Sequence, residues 1–120
     1  MLGKLAACAV TRALIHRAAA CGPQHYLDNN QEGLQGQGDR HTTSEILDER
    51  TQMEMYFPPF EGAIKAGVLS VMCANNLVNG VYVCENNHPT SHILREYGQF
   101  KGWICSDYRG EPRPACKRVT

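Results

Sequence analysis

Asp107 is the residue of this 120-residue chain with the clearest potential for chemistry. It follows Gly102-Trp103-Ile104-Cys105-Ser106, a short apolar segment of strand character. A carboxylate in such a place can attack the anomeric carbon of a sugar, while a second carboxyl group protonates the leaving oxygen. An aspartate after a strand also commonly caps the next helix. Residue type alone therefore leaves both roles open. The candidate second carboxyls, by type only, are Glu32, Glu49 and Glu85.

Three further side chains have the chemistry to bind a sugar. His25 and Arg40 carry donors that can hydrogen-bond to sugar hydroxyls, and Met72 can pack against a sugar face. Each also has an ordinary structural interpretation: a surface histidine, a solvated loop arginine and a core methionine. Spacing alone does not choose between the two interpretations.

The elements that must position these residues alternate along the chain. Val68–Cys73 is a continuous apolar run, which predicts a strand buried on both faces. Gly102–Cys105 predicts a second short buried strand, and residues 24–31 have strand-end and loop character. Three segments of helical character separate and flank them: 2–20, 43–66 and 88–97. This order predicts an α/β fold built from parallel β/α units.

Local signals set the limits of these elements. The 43–66 helix should open at Thr43 or Ser44, kink or restart at Pro58-Pro59, and stop at Gly67. Asn79-Gly80 marks a turn before Val81-Tyr82-Val83. In the 88–97 helix, Ile93 and Leu94 should face inward.

Parallel strands place their carboxyl ends at one edge, and that edge is where ligands meet α/β sheets and barrels. Three polar segments follow predicted strands in this chain: 25–31, 72–76 and 106–107. We therefore expect them to converge on one binding site.

Composition excludes several partners. Lys+Arg and Asp+Glu number 12 each, so no net positive charge favours nucleic acid or an anionic membrane. No apolar run is long enough to span a bilayer. Leu5-Ala6-Ala7-Cys8 looks like a lipoprotein cleavage box, but no apolar stretch precedes it, so we interpret it as belonging to a helix and predict no signal peptide.

The six cysteines lack C-x-x-C spacing, which argues against a metal site. Cys73 and Cys105 lie in apolar runs, where a free thiol behaves as a small hydrophobe, and we favour that state. Disulfides remain the alternative, with fifteen possible pairings.

Four blocks of the sequence resemble, in order, the N-terminal catalytic domain of glycoside hydrolase family 3. They read Q-H-Y-L-D-N-N-Q-E (24–32), L-D-E-R-T-Q-M-E-M-Y-F-P-P-F-E (47–61), A-G-V-L-S-V-M-C-A-N-N-L-V-N-G (66–80) and F-K-G-W-I-C-S-D-Y (100–108). The family patterns are K-H-[FY]-x-x-N-x-Q-E, D-E-R-T-L-x-E-x-Y-x-P-[AP]-F-E, A-G-V-x-S-V-M-C-S-Y-N-x-[VI]-N-G and G-F-x-G-[FWY]-V-x-[ST]-D-W. The resemblance covers residues 18–108 and leaves 109–120 as a divergent tail.

The resemblance implies an incomplete (β/α)₈ barrel and a retaining exo-β-glucosidase that acts on terminal β-linked glucose without a cofactor. Asp107 falls on the family's nucleophile, His25 on a histidine that binds substrate hydroxyls, and Met72 on a methionine of the same subsite. Arg40 aligns with a substrate-binding arginine if residues 33–39 contain a short insertion.

Three substrate-site positions depart from the family pattern. The lysine before the histidine is Gln24, the tyrosine of S-Y-N is Asn75, and the tryptophan after the nucleophile is Tyr108. Gln24 donates without charge assistance, Asn75 lacks an aromatic wall, and Tyr108 keeps a smaller ring. These changes favour a second hypothesis, a catalytically inactive carbohydrate-binding remnant of the family.

Much of the family's machinery has no counterpart in 120 residues. A full barrel takes about 250 residues, and the resemblance places the general acid/base in a later domain. The missing barrel half and that domain are therefore expected in a longer protein, and family members are often secreted. Residues 109–113 permit codons that spell the family's continuation in another frame, so we hypothesise a frameshift or a mispredicted gene end. A third hypothesis is that the segment alone is unstable, because exposed barrel strands favour aggregation.

Overall fold

The computed structural model describes residues 22–31 and 39–107. The predicted 2–20 helix, the Leu5–Cys8 segment, Tyr108 and the 109–120 tail lie outside these residues. The described residues form a mixed α/β structure whose two longest strands, β2 (Ser70–Cys73) and β5 (Trp103–Ser106), pair in parallel. This parallel pair confirms the predicted strands, both shortened at their amino ends.

A third segment runs along the other side of β2. Tyr26 forms an isolated parallel bridge with Cys73, its N–H donates to the Met72 carbonyl at 2.7 Å, and the Met72 N–H donates to the Pro23 carbonyl at 3.1 Å. Residues 23–26 therefore extend the sheet by one irregular strand. The carboxyl ends of all three segments lie at the same edge.

The first long helix is assembled from three pieces: α1 (Glu49–Thr51), a π-helical stretch (Gln52–Tyr56) and α2 (Phe57–Lys65). Asp48 caps it, because its side chain accepts from the Thr51 N–H at 2.7 Å. Pro58 and Pro59 lie in the first turn of α2, where a missing N–H costs little. The helix ends before Gly67, whose φ of +88° suits glycine. The restart at the prolines and the stop at Gly67 are confirmed.

The predicted helix start at Thr43 or Ser44 is wrong. Ser44–Glu45 instead forms β1, which pairs in parallel with β3 (Leu77–Val78). The Leu77 N–H donates to the Thr43 carbonyl at 2.9 Å, so pairing with a distant segment overrides the local helical preference. The helix begins only after Asp48.

The predicted Asn79-Gly80 turn is confirmed. It joins β3 to β4 (Val81–Tyr82) in an antiparallel hairpin, with φ of 53° at Asn79 and 83° at Gly80. Two positive φ values are what a two-residue hairpin turn requires. The Asn79 side chain also bonds the Leu47 N–H and carbonyl, at 3.0 and 2.8 Å, which ties the hairpin to the start of the long helix.

Residues His88–Tyr97 form a helix, as predicted, and its geometry is that of a π-helix. Ile93 and Leu94 are buried and confirm the inward face. They join one apolar core between the helices and the sheet, whose largest other members are Tyr26, Leu27, Phe57, Val71, Val78, Val83 and Phe100.

Two predictions about burial and cysteine chemistry are wrong. Burial alternates along β2, and Trp103 on β5 is 51% exposed, because the sheet has a face that no other described segment covers. Cys73 is not a free thiol but forms a disulfide with Cys84. The hairpin turns the chain back so that the two Cα atoms lie 5.4 Å apart, a relation that neighbouring residue types do not reveal.

Candidate functional site

The sheet brings three polar side chains together at its carboxyl edge. Asp107 directly follows β5, Asn75 follows β2 by two residues, and His25 precedes the Tyr26 bridge. The Asn75 Nδ2 donates to Asp107 Oδ2 at 2.6 Å, and His25 Nε2 lies 3.4 Å from the same oxygen. We call these three residues the edge cluster. Their convergence is the one expected from the order of the segments.

Burial differs sharply within the edge cluster. Asn75 is 1% exposed, whereas the side chains of Asp107 and His25 are 13% and 30% exposed. Asn75 is thus enclosed by the surrounding protein, whereas Asp107 and His25 are partly exposed to solvent. The arrangement supplies an oriented, accessible carboxylate, the property a nucleophile needs.

Met72 is the register partner of Cys105 on β5, so these two side chains share a face of the sheet. Cys105 precedes Asp107 by two residues. Met72 is half-buried, which suits a wall beside the carboxylate.

Gln24 is exposed next to His25. Arg40 is half-buried in the 39–42 turn, which is tied to β4 because the Tyr82 hydroxyl donates to the His41 carbonyl at 3.0 Å. Their roles, like the role assigned to Tyr108, stay predictions. So does the alternative of Asp107 as a helix cap, since the residues after it lie outside the described ranges.

Tyr26 connects the candidate site to the core. It is fully buried, its hydroxyl donates to the Pro89 carbonyl at 2.7 Å, and its ring packs edge-on against Phe60 at 4.8 Å. Burial raises the pKa of its phenol well above the usual range. The adjoining peptide bonds Gln24–His25 and Tyr26–Leu27 are cis. Tyr26 therefore fixes the backbone on which His25 is carried.

Sequence reasoning missed a second polar group, which we call the inner cluster: Asp28, Asn30 and Tyr56. The Asn30 Nδ2 donates to Asp28 Oδ1 at 2.7 Å and to the Tyr56 hydroxyl at 2.6 Å. Asp28 is 4% exposed, and burial raises the pKa of its carboxyl. The hydrogen bond to Asp28 in turn raises the pKa of Tyr56. The available signal was the Asp-Asn-Asn run, because these residues tolerate the left-handed conformation that Asp28 adopts at φ 61°.

The described residues contain no group of three metal-ligating side chains suited to an ion. No helix among them is both long enough and apolar enough to cross a membrane.

No family model matches the chain, whereas its curated relatives and the similar solved structures indicate one family. The curated β-glucosidase cel3A of Pyricularia oryzae is 41% identical over 88 residues, which are 73% of this chain and 11% of that protein.

Two solved structures extend the likeness to the backbone. The β-D-glucoside glucohydrolase of Trichoderma reesei matches with a TM-score of 0.83 and 30% identity, over 90% of this chain and 14% of that one. β-Glucosidase 3B of Thermotoga neapolitana in complex with glucose matches with a TM-score of 0.73 and 32% identity, over 81% of this chain and 13% of that one. This chain thus spans only a small fraction of the length of each relative. Residue blocks and backbone together identify it as a β-glucosidase-like segment of glycoside hydrolase family 3.

Proposed function

We propose that this chain belongs to a retaining exo-β-glucosidase and that Asp107 is its nucleophile. The observation that carries the proposal is the setting of Asp107: one carboxylate oxygen accepts from Asn75 Nδ2 and lies 3.4 Å from His25 Nε2, and the side chain is partly exposed at the carboxyl edge of a parallel sheet. The described strands would contribute to a (β/α)₈ barrel, whose catalytic groups lie at this edge. The relatives named β-glucosidase support the substrate class, a β-glucoside or an oligosaccharide that ends in β-linked glucose.

In the proposed reaction Asp107 attacks the anomeric carbon from the face opposite the leaving group. The new bond is an ester between the carboxylate and the sugar, and the bond that breaks joins the anomeric carbon to the leaving oxygen. A carboxyl group of the longer protein protonates that oxygen and then takes a proton from water. The water attacks the ester, releases glucose and restores the Asp107 carboxylate, so the sugar keeps its configuration.

The remaining site residues would hold the sugar. We propose that His25, Arg40 and Gln24 donate to its hydroxyls, that Met72 and Tyr108 contact its ring, and that Asn75 borders it. Gln24, Asn75 and Tyr108 replace stronger contacts of the family. The loss of two contacts at about 1.5 kcal/mol each would slow turnover about a hundredfold.

The same departures support the second candidate function, a remnant that binds carbohydrate without turnover. A chain extended to the length of its relatives distinguishes the two on a chromogenic β-glucoside. Turnover that disappears in Asp107→Ala, while glucose binding measured by calorimetry persists, supports the glucosidase. Glucose binding without turnover in the unsubstituted protein supports the remnant. Turnover that survives Asp107→Ala would sink the assignment of the nucleophile.

A further inference from the structure

Asn75 occupies a place that the proposed reaction does not by itself explain. It stands where the resembling family carries an aromatic wall, yet its side chain makes the shortest contact to Asp107, at 2.6 Å. At 1% exposure it is nearly closed off from the solvent that reaches Asp107. A residue so enclosed acts through its neighbour more readily than on a ligand.

The orientation of the Asn75 amide is fixed by charge. Its Nδ2 faces Asp107 Oδ2, and its own Oδ1 is buried without a hydrogen-bond partner among the described residues. Turning the amide over would place two oxygens against each other and leave the carboxylate without this donor. A buried amide oxygen with no partner is destabilising. The side chain therefore keeps a costly arrangement in which the contact to Asp107 is preserved.

Both described contacts to Asp107 end on the same oxygen. Asn75 Nδ2 and His25 Nε2 approach Oδ2, and Asn75 is fully enclosed whereas His25 is 30% exposed. Asn75 is thus the rigid half of the pair. A carboxylate held through one oxygen presents the other in a defined direction, which limits the orientations it must search before attack.

We propose that Asn75 is a positioning residue: its amide holds Oδ2 of Asp107 so that Oδ1 is directed toward solvent. The catalytic consequence rests on the proposed function, whereas the hydrogen bond itself does not. At this position the family pattern has a tyrosine, which forms an aromatic wall, whereas Asn75 supplies an uncharged hydrogen-bond donor. The adjacent Asn76 is equally buried but donates to the Leu27 and Leu77 carbonyls, so it serves as a matched control.

The hydrogen bond can be tested on the 120-residue chain by the exchange of side-chain amide protons in NMR. Asp107→Ala should speed exchange of the Asn75 side-chain protons about tenfold or more, the scale of a hydrogen bond to a charged group. The Asn76 side-chain protons are the internal control and should change less than twofold. Asp107→Asn, which keeps the side-chain shape, should give an intermediate acceleration. Equal exchange rates at Asn75 in all three proteins would overturn the proposal whether or not Asp107 attacks sugars.

The catalytic consequence needs the chain extended to the length of its relatives and a fluorinated glucoside that labels the nucleophile covalently. Asn75→Asp is isosteric but replaces the donor with a second carboxylate. We expect the maximal labelling rate at neutral pH to fall at least tenfold, with the half-saturating concentration changed less than threefold. Labelling should recover in acid, where the two carboxyls share a proton and a donor returns. The proposal would be contradicted if the labelling rate fell equally at every pH. It would also be contradicted if only the half-saturating concentration of the glucoside changed.

Discussion

The edge cluster and the inner cluster begin three residues apart in the chain and both pair an aspartate with an asparagine, yet their carboxyl groups differ in exposure to solvent. Asp107 in the edge cluster is 13% exposed in its side chain, accepts from Asn75 Nδ2 and lies 3.4 Å from His25 Nε2. Asp28 in the inner cluster is 4% exposed, and burial raises the pKa of its carboxyl. An aspartate with an asparagine partner is therefore not sufficient for chemistry, since both clusters have one. Exposure to solvent at the carboxyl edge of the sheet is what separates the candidate nucleophile from the structural carboxyl.

The largest expected effect comes from the same isosteric change in both clusters. In a chain extended to the length of its relatives, Asp107→Asn should lower β-glucoside turnover by several orders of magnitude, because an amide is not a nucleophile. Asp28→Asn should leave turnover within about threefold, because the new amide retains an oxygen that accepts from Asn30 and Tyr56. Steady-state rates on a chromogenic glucoside compare the two. A similar loss in both proteins would remove the distinction between the clusters.

The Cys73–Cys84 disulfide should affect the edge cluster more than the inner cluster, because Cys73 lies two residues before Asn75. Its removal by Cys73→Ala with Cys84→Ala should cost about 3 kcal/mol of unfolding free energy, as expected for a loop of this length. The measurement is urea unfolding of the 120-residue chain. Backbone hydrogen exchange should also rise more at residues 74–76 than at 28–30. Equal protection losses at the two clusters would mean that the disulfide has no local effect on the edge cluster.

Tyr26 lies between the clusters and should affect both through stability. Tyr26→Phe removes the buried hydrogen bond from the Tyr26 hydroxyl to the Pro89 carbonyl, at a cost of about 1 kcal/mol of unfolding free energy. Tyr82→Phe is the matched control. The Tyr82 hydroxyl also donates to a carbonyl, that of His41 at 3.0 Å, but this hydrogen bond is only partly buried. Urea midpoints should fall further for Tyr26→Phe. The reverse order would show that burial of the bond is not decisive.

The smallest effect concerns the pH dependence of stability. Because the folded pKa of Asp28 is raised above 3.8, the unfolded chain loses this proton first as the pH rises. The folded state therefore loses stability between 3.8 and the folded pKa, and the loss persists at higher pH. Asp28→Asn should abolish that decline. Urea unfolding of the two proteins measures this decline. The difference between their urea midpoints is followed from about pH 3.5 to about pH 7, the range in which carboxyl groups titrate. A difference that does not change with pH would contradict a raised pKa.

The sequence predicted those features of the fold that depend on local chemistry. Asn79-Gly80 indicated the hairpin turn, Gly67 the end of α2, and Ile93 with Leu94 the inward helix face. The convergence at the carboxyl edge followed from the order of strands alone, because parallel strands must end together. Family membership came from four ordered blocks and is supported by the relatives.

What the sequence did not reveal depends on contacts between distant segments. Three contacts join regions of the chain that residue type does not relate. They are the pairing of Ser44–Glu45 with Leu77–Val78, the Cys73–Cys84 disulfide and the hydrogen bond from Asn75 to Asp107. Asp28 was missed because a run of Asp and Asn is typical of exposed loops. Its burial follows from the neighbouring Tyr26 and Leu27, which are drawn fully into the core.

The exposed Trp103 carries a practical consequence for anyone who purifies this chain. Trp103 and Leu69 adjoin, since the Trp103 N–H donates to the Leu69 carbonyl at 2.8 Å, and they are 51% and 65% exposed. Within the described ranges β5 has a strand on one side only, so its outer backbone groups can template a foreign strand. Dilute solutions and a charged residue at position 69 should reduce association of the chain through β5. Light scattering of concentrated samples measures that association.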